Sequence, residues 1–147
     1  MTVTGEYVPS ASQWVRDQVE TILQSGTTES VDIMGRPVIL MSMLGAESGK
    51  LRRVPVMRVE HDGEYVAVAS KAGAPDNPQW YANLLANPRI TVQDGTAEWD
   101  AVARELTGTE RDEWWQRCVE AFPNYAEYQE GTERVIPIFL LESQPDE

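Results

Sequence analysis

Apolar residues recur at helical spacing near the start of the chain and switch to strand-like runs after Gly35. Val15, Val19, Ile22 and Leu23 repeat at the period of an amphipathic helix, with Ser10 or Ser12 placed to cap it. Residues 24–29 are polar, include Gly26 and predict a loop. Residues 36–44 form a nearly continuous apolar run, long enough for a buried strand. The loop Gly45-Ala46-Glu47-Ser48-Gly49-Lys50 separates it from a second strand over 51–60, which contains Pro55. A proline lacks the ladder donor, so that strand is predicted at an edge or a bulge. Asp62-Gly63 is a hairpin signal leading into a strand over 64–70.

A short helix follows, with Asn77 as cap, Pro78 at its first position, and Trp80, Leu84 and Leu85 as its apolar side. Asn87-Pro88 ends it, because a residue before proline avoids the helical region. Residues 89–93 and 96–106 read as strands joined at Asp94-Gly95. Thr109 with Asp112 resembles a capping box for a helix whose apolar face holds Trp114, Cys118, Ala121 and Phe122. Pro123 breaks that helix, Tyr125 and Tyr128 follow at i, i+3 in a short helical piece, and a last strand over 135–141 carries Pro137. About six mostly antiparallel strands and three or four helices in mixed order predict an α+β protein, an antiparallel barrel with helices packed outside. It is expected as a single domain over 1–147, with a helical segment at 1–30 and the barrel core at 35–142. The hairpin connections, and the lack of a G-x-G-x-x-G between strand and helix, exclude a dinucleotide-binding parallel sheet.

Composition narrows the chemistry. The 147 residues hold 12 basic and 24 acidic side chains, a net charge of −12. That balance disfavours nucleic acid and anionic membrane surfaces as partners. One Cys and one His exclude a disulfide framework and a multi-histidine or multi-cysteine metal site, and leave little room for a nucleophilic triad. No apolar run approaches a membrane span, and MTVTGEYVPS lacks the features of a signal peptide, so a soluble cytoplasmic protein is expected. An enzyme so poor in catalytic side chains calls for a cofactor.

The charge is uneven. Lys50, Arg52, Arg53 and Arg58, a third of the basic residues, fall within nine positions that hold no acid. Such an island suggests an anion site, with Lys71 within reach and the 45–49 loop offering backbone amides. A solvent-facing hairpin rich in arginine would give the same pattern, and Glu47 opposes an anion. His61 reads as a solvated turn residue, Cys118 as a small buried hydrophobe and Trp114-Trp115 as packing. Tyr125 and Tyr128 fit either a pocket lining or the closure of the barrel's end, and the acidic positions of 127–133 read as a solvated helix face.

Three segments taken together resemble the deazaflavin-dependent nitroreductases. They are GRPVILMSMLGAESGKLRRVPV at 35–56, VASKAGAPDNPQWYANLLANP at 68–88, and the FPNYAEYQ and RVIP strings at 122–129 and 134–137. The family pattern in the first is an apolar strand followed by G-R-K-[ST]-G-x-x-R-x-x-P. The resemblance implies a split β-barrel, like that of FMN-binding split-barrel proteins, binding reduced coenzyme F-420. This anionic 8-hydroxy-5-deazaflavin carries a phosphodiester and a polyglutamate tail. The partners implied are that coenzyme and a small electrophile (an enone or unsaturated lactone such as an aflatoxin or coumarin, a quinone, or a nitro compound). No nucleic acid or membrane insertion is implied, and the chain is expected as a monomer or homodimer, the monomer favoured.

Position by position, the resemblance places Ser48 and the backbone of Ala46, Glu47 and Ser48 near the coenzyme's phosphate or tail. Arg52 would hold phosphate, with Lys50 and Arg53 nearby. Val54, Pro55, Val56 and Met57 would line the strand beside the deazaflavin ring. Val68, Ala69, Ser70 and Lys71 match the S-K segment, where Lys71 pairs with an anionic group and Ser70 reaches ring or substrate. Gln79, Trp80, Tyr81, Ala82 and Asn83 flank the cofactor groove, while Tyr125 and Tyr128 line the substrate side. Hydride would pass from C5 of the reduced deazaflavin to an electron-poor carbon, with a proton from Tyr125, Tyr128, Ser70 or water. Ala46 and Glu47 stand where the family has two basic residues, and Phe122 stands where the nitroreductase has a tyrosine. Enones or quinones are therefore expected as substrates ahead of bulky nitroimidazoles. Two other readings are a deazaflavin carrier without turnover and an FMN-dependent split-barrel enzyme resembling pyridoxamine-phosphate oxidases.

Overall fold

The computed structural model describes residues 3–144. Seven strands form one sheet: β1 (Val38–Leu44), β2 (Leu51–Met57), β3 (Val59–His61), β4 (Glu64–Val68), β5 (Arg89–Asp94), β6 (Ala97–Glu105) and β7 (Ile138–Ser143). Their order is β2-β1-β5-β6-β7-β4-β3, antiparallel at every pairing. The sheet curls until β2 lies beside β4, so the α+β antiparallel barrel expected from the sequence is found, as a half-barrel of seven strands rather than about six. The single strand expected over 51–60 is two, β2 and β3, parting at Arg58, whose amide still bonds Pro37 O at 3.0 Å in the β1–β2 register. Pro55 sits on β2, at one end of the sheet order, where its missing donor costs nothing. Asp62 and Gly63 both take positive φ, as a two-residue hairpin turn requires.

Alternation along the strands sorts side chains into an interior and an outer face. Ile39, Met41, Met43, Val56, Ala67, Ala69, Ile90, Val92, Phe139 and Leu141 fill the curl. Four helices cover it: α1 (Gln13–Ser25), α2 (Gln79–Ala86), α3 (Gly108–Ala121) and α4 (Asn124–Glu130). Helix α2 sends Trp80 and Leu84 into the interior, with Trp80 and Tyr81 against Phe139 at ring separations of 6.1 and 5.5 Å. Helices α3 and α4 cover the outer face of β4 and β7 through Trp114, Cys118, Phe122 and Tyr125. Helix α1 lays Val19 and Ile22 on Val38 and Leu40.

Ser12 caps α1, its hydroxyl accepting from the Val15 amide. Leu23 is exposed on this helix and Leu85 on α2, although each sequence pattern includes it in the apolar side. Two expected caps are not formed. Pro78 holds the cap position of α2, and Asn77 spends its side-chain oxygen elsewhere. Helix α3 starts at Gly108 with Thr107 at its cap and no side-chain capping bond. Its first-turn Glu110 is gripped instead by Arg104, through two bonds of 2.9 and 3.0 Å.

Candidate functional site

The β1–β2 loop, the turn after β4, and helices α2 and α4 meet at one rim of the half-barrel. Asn83 on α2 accepts the Ala46 amide at 2.9 Å, and Asn87 donates to Leu44 O and Gly45 O at 3.4 and 3.3 Å. The loop is closed on itself by Gly45 N–H to Lys50 O, Gly49 N–H to Gly45 O, and Lys50 N–H to the Ser48 hydroxyl. The Glu47 and Ser48 amides donate to no described residue, so they are the loop's free donors. Ala46, Glu47, Ser48 and Lys50 are all exposed, and Lys50 reaches Glu6 at 2.8 Å.

The basic island does not converge. Register opposite β1 puts Arg52, Val54 and Val56 on the interior side and Arg53, Pro55 and Met57 on the other. Arg53 lies over the Tyr7 ring at 5.3 Å and borders a small cleft with Ser42, Thr91 and Glu98, away from α2. The Arg58 Nε donates to both Asp94 carboxylate oxygens at 3.0 Å. Neither Arg52 nor Arg53 makes a hydrogen bond or ion pair with a described residue, but Arg53 lies on the Tyr7 ring, whereas Arg52 faces inward beside the loop.

At the end of β4, Ala69 faces the interior, while Val68 belongs to the outer layer under α3 and α4. Lys71 and Ala72 have positive φ of 45° and 53°, conformations that residues with side chains rarely adopt, and Gly73 follows at 80°. The Lys71 ammonium lies 3.0 Å from Asp76, and that bond holds the Asp76 carboxyl below its usual range. Gly73 packs against the backbone of Tyr128, so α4 rests directly on this turn. Gln79 and Ala82 are exposed on α2, Trp80 is buried, and Tyr81 donates its hydroxyl to Glu105 at 3.0 Å.

The two tyrosines differ. Tyr125 is 4% exposed, edge-on to Phe122 at 5.0 Å, and burial pushes its hydroxyl well above the ordinary tyrosine value. Tyr128 is half-buried at the turn. Cys118 is fully buried beneath them, its thiol pushed up to about 12 by burial, which keeps it an inert packing group. His61 is exposed at its turn, with its ring edge-on to Trp114.

Residues 14–143 match the F-420H(2)-dependent quinone reductase family. The chain belongs to that family. A putative F-420H(2)-dependent quinone reductase of Mycobacterium tuberculosis is 33% identical over 105 residues, 71% of this chain and 88% of the relative. A putative F-420H(2)-dependent quinone reductase of Mycobacterium bovis is 32% identical over 108 residues, 71% and 72% of the two chains. A solved F-420-H2 dependent reductase is 53% identical, with TM-score 0.69, over 76% of this chain and 99% of that one. A domain-swapped dimer is likewise 53% identical, with TM-score 0.72, over 90% and 100%. A heme storage protein of Vibrio cholerae, 15% identical with TM-score 0.57 over 77% and 85%, shares the fold alone.

Membership makes the chain an oxidoreductase dependent on reduced coenzyme F-420, in agreement with the cofactor its composition demands. The residues present fit an anionic coenzyme: the Arg52 guanidinium has no acid partner, two loop amides are free, and Lys71 stands at the other side of the rim. Arg134, in the RVIP string, is tied to this rim by five hydrogen bonds. Its signal in the sequence was weak, a lone basic residue among acids ahead of the last strand.

Proposed function

We propose that this reductase acts on small quinones and enones, with the rim between the β1–β2 loop, α2, the 69–77 turn and α4 as its coenzyme site. The observation that carries the reading is the inward, unpaired Arg52 beside the free Glu47 and Ser48 amides, a donor set for phosphate. When bound, the coenzyme supplies hydride. Arg52, Ser48 and the loop amides would hold its anionic part, and Lys71 would exchange the exposed Asp76 for a coenzyme anion. Val54, Val56 and Trp80 offer an apolar wall to the ring. Tyr128 and Ser70, both partly open, are the better proton donors. The buried Tyr125, its hydroxyl made a weaker acid, would act mainly by packing Phe122 and Tyr128. With Phe122 buried and lacking a hydroxyl, bulky nitroimidazoles rank behind quinones and enones.

The test is anaerobic mixing of protein, reduced coenzyme and menadione, following reoxidation of the deazaflavin. Quinone-dependent reoxidation with one hydroquinone per coenzyme is expected, and Tyr128→Phe should slow it more than Tyr125→Phe. Binding without reoxidation by any quinone or enone would leave the carrier reading standing. Quenching of tryptophan fluorescence by FMN but not by coenzyme F-420 would favour the flavin reading, since the buried Trp80 is carried by α2, which borders the proposed site. The proposal carries with it a cytoplasmic monomer. The N-terminal stretch already bonds Leu51 from both sides within one chain, and light scattering distinguishes this from a dimer formed by exchange.

A further inference from the structure

We propose that Arg134 is a positioning residue for the coenzyme site, fixing the turn that carries Ser70 and Lys71; the coenzyme part of this rests on the function proposed above. Its side chain bonds no carboxylate among the described residues. The whole guanidinium fork is spent on the turn. Nη1 donates to Ala69 O at 2.9 Å and Asn77 Oδ1 at 2.7 Å, Nη2 to Ser70 O at 2.8 Å and Ala74 O at 3.0 Å, and Nε to Ala74 O at 3.2 Å. Enclosed between these acceptors are the three consecutive positive-φ residues Lys71, Ala72 and Gly73. Their own bonds are few, Gly73 N–H to Ser70 O and Ala74 N–H to Lys71 O. A backbone so bent persists only where its surroundings over-determine it, and Arg134 gathers both ends of the bend onto one rigid plane.

The fork is itself held. Gln129 of α4 donates to Arg134 O at 2.7 Å and accepts the Ile136 amide at 2.9 Å, fixing the main chain on either side of Val135. Helix α4, with Tyr128, and the turn, with Lys71, are therefore set by one device. A lysine here would keep the charge but lose the planar array of donors.

The experiment compares wild type with Arg134→Lys, Arg134→Ala and the milder Asn77→Ala, in two readouts. Hydrogen exchange without coenzyme should show the Gly73 and Ala74 amides opening about tenfold more readily in Arg134→Lys, less in Asn77→Ala, while the β5–β6 amides stay protected. Titration of tryptophan fluorescence should show coenzyme affinity about tenfold weaker in Arg134→Lys, a loss in binding that is read without turnover. Millimolar guanidinium should partly restore affinity in Arg134→Ala. Unchanged exchange at Gly73 and Ala74 in both Arg134→Lys and Asn77→Ala overturns the clamp. A loosened turn with wild-type affinity overturns its role at the site. Failure of the wild type to bind the coenzyme at all overturns the coenzyme role and the function proposed above, while the exchange result still judges the clamp.

Discussion

Gly73 is the residue on which the rim turns most sharply. Its φ of 80° is open to glycine, and a Cβ built there would stand 2.8 Å from the Tyr128 carbonyl oxygen and 3.1 Å from Tyr128 Cα. Those are backbone atoms of a helix, which cannot rotate away as a flexible side chain would. Gly73→Ala therefore combines left-handed strain with overpacking, and about 3 kcal/mol of stability should be lost. In a chain of this size that lowers Tm by roughly 6–12 °C. Gly26, equally left-handed at the end of α1, has nothing within 4 Å of its missing Cβ. Gly26→Ala should cost only the strain, about 1 kcal/mol. Equal losses at the two sites, measured by thermal unfolding, would show that Tyr128 does not press on the turn.

At the scale of elements, the curl of the sheet is held at one end by a polar staple. Asp94, closing β5, accepts both Arg58 bonds and a short hydrogen bond from the Tyr65 hydroxyl of β4, three strands away in the sheet order. Burial and then the Asp94 hydrogen bond raise the Tyr65 hydroxyl above its usual value, so it stays a donor. Asp94→Asn should cost about 1–2 kcal/mol, discounted because Arg58 is about one-third exposed. Urea unfolding of Arg58→Met, Tyr65→Phe and the double variant should show coupling of about 0.5–1 kcal/mol through Asp94. Strict additivity would mean that the two partners act separately. Such long-range pairings explain what the sequence could and could not reveal. Asp62-Gly63, Asn87-Pro88, Ser12 and the run into β1 are local signals, and each marks a real boundary. Asn77 looks like a cap until Arg134, far along the chain, takes its oxygen. The four basic residues look like one island until strand alternation sends Arg53 outward and Glu6 and Asp94 claim two more.

Across the whole molecule, a net charge of −12 surrounds a rim where Arg52 is unpaired and Lys71 holds only the exposed Asp76. Three other cations are paired with carboxylates, Arg104 with Glu110 and Glu142, Arg58 with Asp94 and Lys50 with Glu6. An anionic coenzyme therefore meets two fields of opposite sign and different reach: repulsion from the whole surface, and attraction from cations in contact. Salt screens them in sequence, since the screening length is about 30 Å at 0.01 M, about 10 Å at 0.1 M and about 3 Å at 1 M. Raising salt from the lowest value should first relieve the repulsion and tighten binding, and only later weaken the contacts. Affinity measured by fluorescence titration should pass through a maximum near 0.1 M. Arg52→Ala should bind more weakly throughout and lose most of the fall at high salt, while keeping the rise at low salt. A monotonic fall from 0.01 M in the wild type would mean that local attraction outweighs the global field at every distance. An unchanged curve in Arg52→Ala would remove Arg52 from the site.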